Sequence, residues 1–171
     1  MMNKGKRASK EWIMAIVSAV ILSLVIRTFL FTPYVVHGES MLPTFKGKEL
    51  LIVNKFVYEL KDPEYNDIIV FHTSEQRDFI KRIIGLPNDE IMIKDGKVFR
   101  NGKVVDEPYL AEPINGSMPP TIVPEGKLFV LGDNRNHSRD SRQIGVIDMN
   151  EVVGRADVII LPFREFKLLI E

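Results

Sequence analysis

Asp89-Glu90-Ile91-Met92-Ile93-Lys94-Asp95-Gly96-Lys97-Val98-Phe99-Arg100-Asn101-Gly102-Lys103-Val104-Val105 is the stretch that decides the fold class. It reads as a β-meander, with Asp95-Gly96 and Asn101-Gly102 in turn positions between runs that carry β-branched and apolar residues. Similar short runs lie on either side. Residues 49–53, 67–71 and 78–84 precede it, and 127–131 and 152–161 follow. Ten prolines and eleven glycines, with no amphipathic helical period after Phe31, predict a mostly β, antiparallel body. Residues 107–124 hold five prolines and an Asn115-Gly116 turn, which predicts a surface excursion. Residues 89–124 form a candidate small subdomain or insertion. The aromatic and basic residues of 163–170 suit either a packed terminal strand or a membrane interface.

The N-terminus has a different character. Residues 12–31 are apolar except for Ser18, Ser23, Arg27 and Thr28. As a helix rising about 1.5 Å per residue they would span about 30 Å, the hydrocarbon thickness of a bilayer. Arg27 lies near the distal end, where its guanidinium can snorkel to the interface. A cleaved signal peptide is disfavoured because no small-x-small site closes the run. A core helix is disfavoured because the run has almost no polar face. The expected organisation is a basic cytoplasmic N-terminus at 1–11, a membrane helix at 12–31 and an extracytoplasmic domain at 32–171. Lys4, Lys6, Arg7 and Lys10 set that orientation, since the next basic residue past the span is Lys46.

Composition removes several classes of function. Lys plus Arg and Asp plus Glu both total 23, so no global charge argues for nucleic acid. There is no cysteine, which excludes a disulfide framework, a thiol nucleophile and a thiolate metal site. The three histidines, His37, His72 and His137, are scattered and form no HExxH pair. No cofactor or metal is expected.

Three clusters could carry chemistry. Ser40 lies in Gly38-Glu39-Ser40-Met41-Leu42-Pro43-Thr44, flanked by turn formers that could present its hydroxyl beside free backbone N–H groups. Alone, it reads as a solvated turn serine. Lys81 lies in Phe79-Ile80-Lys81-Arg82-Ile83-Ile84-Gly85-Leu86-Pro87. Strand alternation puts Phe79, Lys81 and Ile83 on one face, an apolar setting that lowers a lysine pKa and lets the amine act as a base. The bland alternative is a lysine snorkelling from a sheet edge. Residues 132–142, Gly132-Asp133-Asn134-Arg135-Asn136-His137-Ser138-Arg139-Asp140-Ser141-Arg142, are either a solvated loop or a buried polar network. His137 is a secondary candidate for the base.

In this order the segments resemble bacterial type I signal peptidases, in the compact form of Gram-positive bacteria. The likeness rests on residues 40–44, 67–71, 81–87 and 132–142 behind an apolar N-terminal run. It implies a membrane-bound serine endopeptidase that removes signal peptides from exported preproteins after Ala-x-Ala, with Ser40 as nucleophile and Lys81 as general base. By resemblance Ser138 orients the lysine, and Asp133, Asp140 and Arg142 form a supporting polar network. Tyr34, Val36, Phe45, Val70, Phe79 and Ile80 match the walls of two shallow substrate pockets. Gly38 stands where some relatives carry a serine hydroxyl for the oxyanion hole. The implied partners are membrane-tethered preproteins, the lipid bilayer of the bacterial cell membrane and the neighbourhood of the export translocon. A narrower maturation peptidase of the same superfamily and a membrane-tethered β scaffold are the alternatives.

Overall fold

The computed structural model describes residues 3–73, 75 and 77–169. The outermost residues of the expected basic N-terminus and of the C-terminal segment, 1–2 and 170–171, lie outside the described residues. Helix α1, Asn3–Val25, continues into a π-helical turn, Ile26–Leu30, and strand β1 begins at Phe31. The expected membrane helix at 12–31 is therefore not one continuous α-helix. Among the described residues, no helix is long and apolar enough to cross a membrane. Part of the apolar run lies beyond the end of α1, in the π-helical turn and the start of β1. Its apolar side chains are exposed, with Trp12 at 72%, so α1 is not a core helix either.

The body is built from antiparallel strands. They are β1 (Phe31–Val35), β2 (Leu50–Asn54), β3 (Ile68–His72), β4 (Asp78–Gly85), β5 (Glu90–Lys94), β6 (Lys97–Arg100), β7 (Lys103–Val104), β8 (Met118–Ile122), β9 (Lys127–Leu131), β10 (Ile147–Asp148), β11 (Val152–Leu161) and β12 (Lys167–Leu168). One sheet has the order β1-β2-β11-β3-β4-β9-β10, with β12 added to β11, and a second has the order β7-β6-β5-β8. The helices α2 (Val57–Leu60) and α3 (Ser141–Ile144) are single turns.

The meander forms as the sequence predicts. Asp95 and Gly96, and then Asn101 and Gly102, all have positive φ, the geometry that two-residue hairpin turns require. The second sheet packs on the end of the first through Ile91, Ile93, Val98, Ile114 and Val123, which meet Ile84, Phe129 and Leu131. Gly85 makes the crossing possible. A β-carbon there would lie 2.9 Å from the Ile91 side chain and 3.2 Å from Phe129 Cβ.

The proline-rich segment departs from expectation. Residues 118–122 are not part of a surface excursion but form β8, paired to β5. Pro119 and Pro120 are tolerated because β8 is an edge strand with one side of its ladder unpaired. At the C-terminus β12 pairs with β11 and Leu169 packs against the core, while Phe163 and Phe166 stay exposed.

Candidate active site

Ser40 sits on a turn that follows β1. The buried Glu49 carboxylate holds that excursion, accepting the backbone N–H of Gly47 at 2.8 Å and of Lys48 at 2.9 Å. The Phe45 N–H bonds to the Met41 carbonyl, and both side chains plug into the core with Leu51, Ile68 and Ala156. The polar segment pins the turn from the other side. The Asn134 N–H donates to the Ser40 carbonyl at 3.0 Å, and Asn134 Nδ2 to the Glu39 carbonyl at 3.0 Å.

Lys81 approaches from β4. Its Nζ lies 2.7 Å from Ser40 Oγ and 2.8 Å from the Ile80 carbonyl, and the residue is 3% exposed. It shares a face with Phe79, whose ring centroid is 5.1 Å from Nζ. Burial brings the ammonium pKa down from 10.5 to about 8, against the opposing pull of the Asp140 and Asp133 carboxylates. A substantial neutral fraction is therefore present near pH 8, and the neutral amine can accept the serine proton.

The polar run 132–142 is a buried network rather than a solvated loop. Asp133, Arg135, Ser138, Asp140 and Ser141 are all buried. Arg82 holds Asp133 in a fork, Nε to Oδ1 at 2.8 Å and Nη2 to Oδ2 at 2.6 Å. Arg142 holds Asp140 the same way, at 2.7 and 2.8 Å, and Asp140 also accepts the Gly132 N–H at 3.0 Å. These forks satisfy carboxylates that would otherwise be costly to bury. Ser138 Oγ is buried close to Gly132 and, among the described residues, makes no hydrogen bond, to Lys81 or to any other group. His137 is exposed and makes no hydrogen bond to Ser40 or Lys81 among the described residues; its ring faces Asn134.

A cleft of about 750 Å³ opens beside Ser40 and Lys81. Tyr34, Val36, Val70, Phe79 and Ile80 line it. Phe45 does not, because its ring is wholly buried beneath the Ser40 turn. Tyr34 bonds to Asp78; burial first, and this carboxylate second, push its hydroxyl up to about 12. The reading of the sequence did not single out Arg82, Arg135 or Asn134 as parts of the site, nor Arg77, Asp78 and Arg139 at the cleft. Arg82 carried a usable signal, as a second cation beside Lys81 in a run otherwise apolar enough to be a core strand.

Comparison with known proteins identifies the family of the chain. Residues 9–161 match the family described as signal peptidase, peptidase S26. A signal peptidase I of Bacillus licheniformis is 42% identical over 174 residues, covering 95% of this chain and 94% of the relative. A signal peptidase IB of Staphylococcus aureus is 36% identical over 180 residues, covering 95% and 94%. The crystal structure of a signal peptidase I from Enterococcus faecalis V583 is 33% identical with a TM-score of 0.52, covering 56% of this chain and 97% of that one. With a family match that takes in nearly the whole chain, and with relatives this similar from end to end, the protein belongs to the signal peptidase family, peptidase S26.

Proposed function

We propose that the protein is a serine endopeptidase that removes signal peptides from exported preproteins, using Ser40 as nucleophile and Lys81 as general base. The observation that carries the reading is the 2.7 Å approach of a buried Lys81 amine to the Ser40 hydroxyl beside an apolar cleft. Neutral Lys81 takes the Oγ proton as Oγ attacks the carbonyl of the small residue at −1. The Ser40 backbone N–H serves the oxyanion; Gly38 has no hydroxyl to add, so a second donor is a backbone or water N–H or O–H. Protonated Lys81 then gives its proton to the departing amine. Lys81 next draws a proton from a water molecule as that water attacks the ester carbonyl, and returns the proton to Ser40 Oγ as the acyl C–Oγ bond breaks. Turned toward Lys81, the Ser138 hydroxyl, which is unbonded in this structure, would orient the amine, and Asp133, Asp140 and Arg142 would hold that segment in place.

The substrate lies extended in the cleft. Its side chains alternate, so those at −1 and −3 share the face turned to Tyr34, Val36, Val70, Phe79 and Ile80. The free edge of β1 supplies main-chain bonds to an added strand. The exposed apolar side chains of α1 support attachment of the extracytoplasmic domain, residues 32–171, to the bacterial cell membrane, near the export translocon. Such attachment raises the effective concentration of membrane-tethered preproteins.

The test is cleavage of a purified Ala-x-Ala preprotein in detergent, with product masses, by wild type, Ser40→Ala and Lys81→Met. Cleavage after the −1 alanine, absent in both folded variants, is the expected result. Activity surviving in Lys81→Met would place the base elsewhere. Flotation of the full chain with vesicles, lost on Val17→Arg with Val20→Arg, tests the attachment.

A further inference from the structure

The loop that joins β7 to β8, residues 105–117, belongs to the second sheet, yet its bonds run to the polar segment beside Ser40. Arg135, wholly buried, forks onto Glu107 with Nη1–Oε2 at 3.0 Å and Nη2–Oε1 at 2.5 Å. Its Nε donates to the Gly132 carbonyl at 3.0 Å. The Tyr109 ring lies 3.9 Å from the guanidinium carbon of Arg82, the residue that forks onto Asp133. Further along, Asn136 Nδ2 donates to Glu112 at 2.9 Å and to the Pro113 carbonyl at 3.1 Å, and its Oδ1 accepts the Asn115 N–H at 2.8 Å. Both ends of the loop therefore grip the polar segment, at the adjacent residues Arg135 and Asn136.

That grip is passed on by close packing. At Gly132 a β-carbon would lie 2.2 Å from Ser138 Oγ and 2.4 Å from the Ser40 carbonyl, so the segment touches the nucleophile's turn with no slack. The carboxylates acting on Lys81, Asp133 and Asp140, come from the same segment and are held by Arg82 and Arg142. The Arg135 charge is matched by Glu107. A change in how the loop seats thus reaches Ser40, Ser138 and the dryness of Lys81 together.

We propose that the 105–117 loop, through Tyr109, Glu107 and the bonds around Asn136, is a positioning element that holds residues 132–138 against Ser40 and keeps water from Lys81. Tyr109 is a positioning residue; it bonds to Glu107 and stacks on Arg82 rather than touching the reacting atoms. The inference rests on the peptidase reading above, and its test is arranged to separate the two.

Tyr109→Leu and Asn136→Ala change no charge, so any effect on Lys81 comes from packing. Tyr109→Phe keeps the ring over Arg82 and serves as the rescue. In full-length protein held in detergent below its melting temperature, two quantities are measured. One is kcat and KM on an Ala-x-Ala preprotein. The other is the pH midpoint of trace acetic anhydride labelling at Lys81, read by mass spectrometry, which needs no activity. The expectation for Tyr109→Leu is a kcat lowered about 10- to 100-fold at near-constant KM. Its labelling midpoint should move up from about 8 towards 10.5 as water enters. Asn136→Ala should do the same to a smaller degree, and Tyr109→Phe should restore both. A midpoint unmoved in the folded variants, whatever happens to kcat, overturns the proposal, as does a lower melting temperature with both quantities unchanged. If Tyr109→Leu does not fold, Asn136→Ala decides alone. A wild type that cleaves nothing defeats the peptidase reading, while the labelling midpoints still decide the role of the loop.

Discussion

Gly132 lies directly against the Ser40 carbonyl: a β-carbon on the glycine would fall 2.4 Å from that oxygen, and 2.6 Å from Ser138 Cβ. The neighbour that cannot yield is backbone, so the contact sets the height of the Ser40 turn above the polar segment. The adjacent Asn134 N–H bonds to the same carbonyl.

Gly132→Ala should therefore abolish most activity while the protein remains folded. Overpacking of this kind costs about 1–3 kcal/mol of stability. A displacement of about 1 Å at the nucleophile costs about 100-fold in rate. Calorimetry beside steady-state kinetics checks both, and near-normal kcat in the alanine variant would show that the turn can move without consequence.

The depressed pKa of Lys81 predicts the pH behaviour of rate and of stability. Because the base must be neutral, kcat/KM should fall about tenfold per pH unit below about pH 8. In the unfolded chain the lysine titrates at its ordinary 10.5, so between about 8 and 10.5 the unfolded state binds more protons. Stability should rise with pH across that window, and the cost of burying the charge is felt in full below it. The shift corresponds to about 3 kcal/mol, which Lys81→Met should recover at pH 7 as a higher denaturation midpoint without activity. A rate that stays flat down to pH 5 would dispose of the lysine base.

The strands were legible because each is short, β-branched and bounded by turn formers, and the meander's Asp-Gly and Asn-Gly pairs fall where φ is positive. Residues 118–122 were not, since Pro119 and Pro120 look like loop until pairing on one side only is known. Ser40 and Lys81 stood out through their local motifs, but no pattern in a single chain says that they lie 2.7 Å apart. Phe45 illustrates the opposite failure. An aromatic five residues after the nucleophile suits a pocket wall or a core plug equally well, and only the direction of the turn puts it in the core. The Glu107–Arg135 pair, 28 residues apart, left no trace in periodicity or composition.

Cleft shape should set specificity. Val36 packs in the core cluster against which Ile80 leans, and both line the cleft beside Ser40, so their branched side chains limit depth there. Ile80→Ala should raise kcat/KM for a preprotein with valine at −1 relative to alanine by about 10-fold, the scale expected of one or two methylenes. Competition between the two substrates in one tube reads that ratio directly. An unchanged ratio would mean that another wall carries the selection.

The Arg82–Asp133 fork yields the sharpest contrast between breaking an ion pair and replacing it. Both side chains are nearly out of solvent, 9% and 0% exposed, and Thr44 from the Ser40 turn bonds to the same carboxylate. Asp133→Ala leaves a buried guanidinium without its counter-charge, which should cost about 3–5 kcal/mol. Arg82→Met with Asp133→Leu removes both charges at similar volume and should regain most of that stability. The double variant should stay poorly active, however, because Thr44 loses its acceptor and the segment bearing Ser138 loses one of its anchors. Denaturant unfolding and preprotein cleavage, run on Asp133→Ala and on the double variant, separate the two effects. Recovery of rate along with stability would show that the fork serves the fold alone.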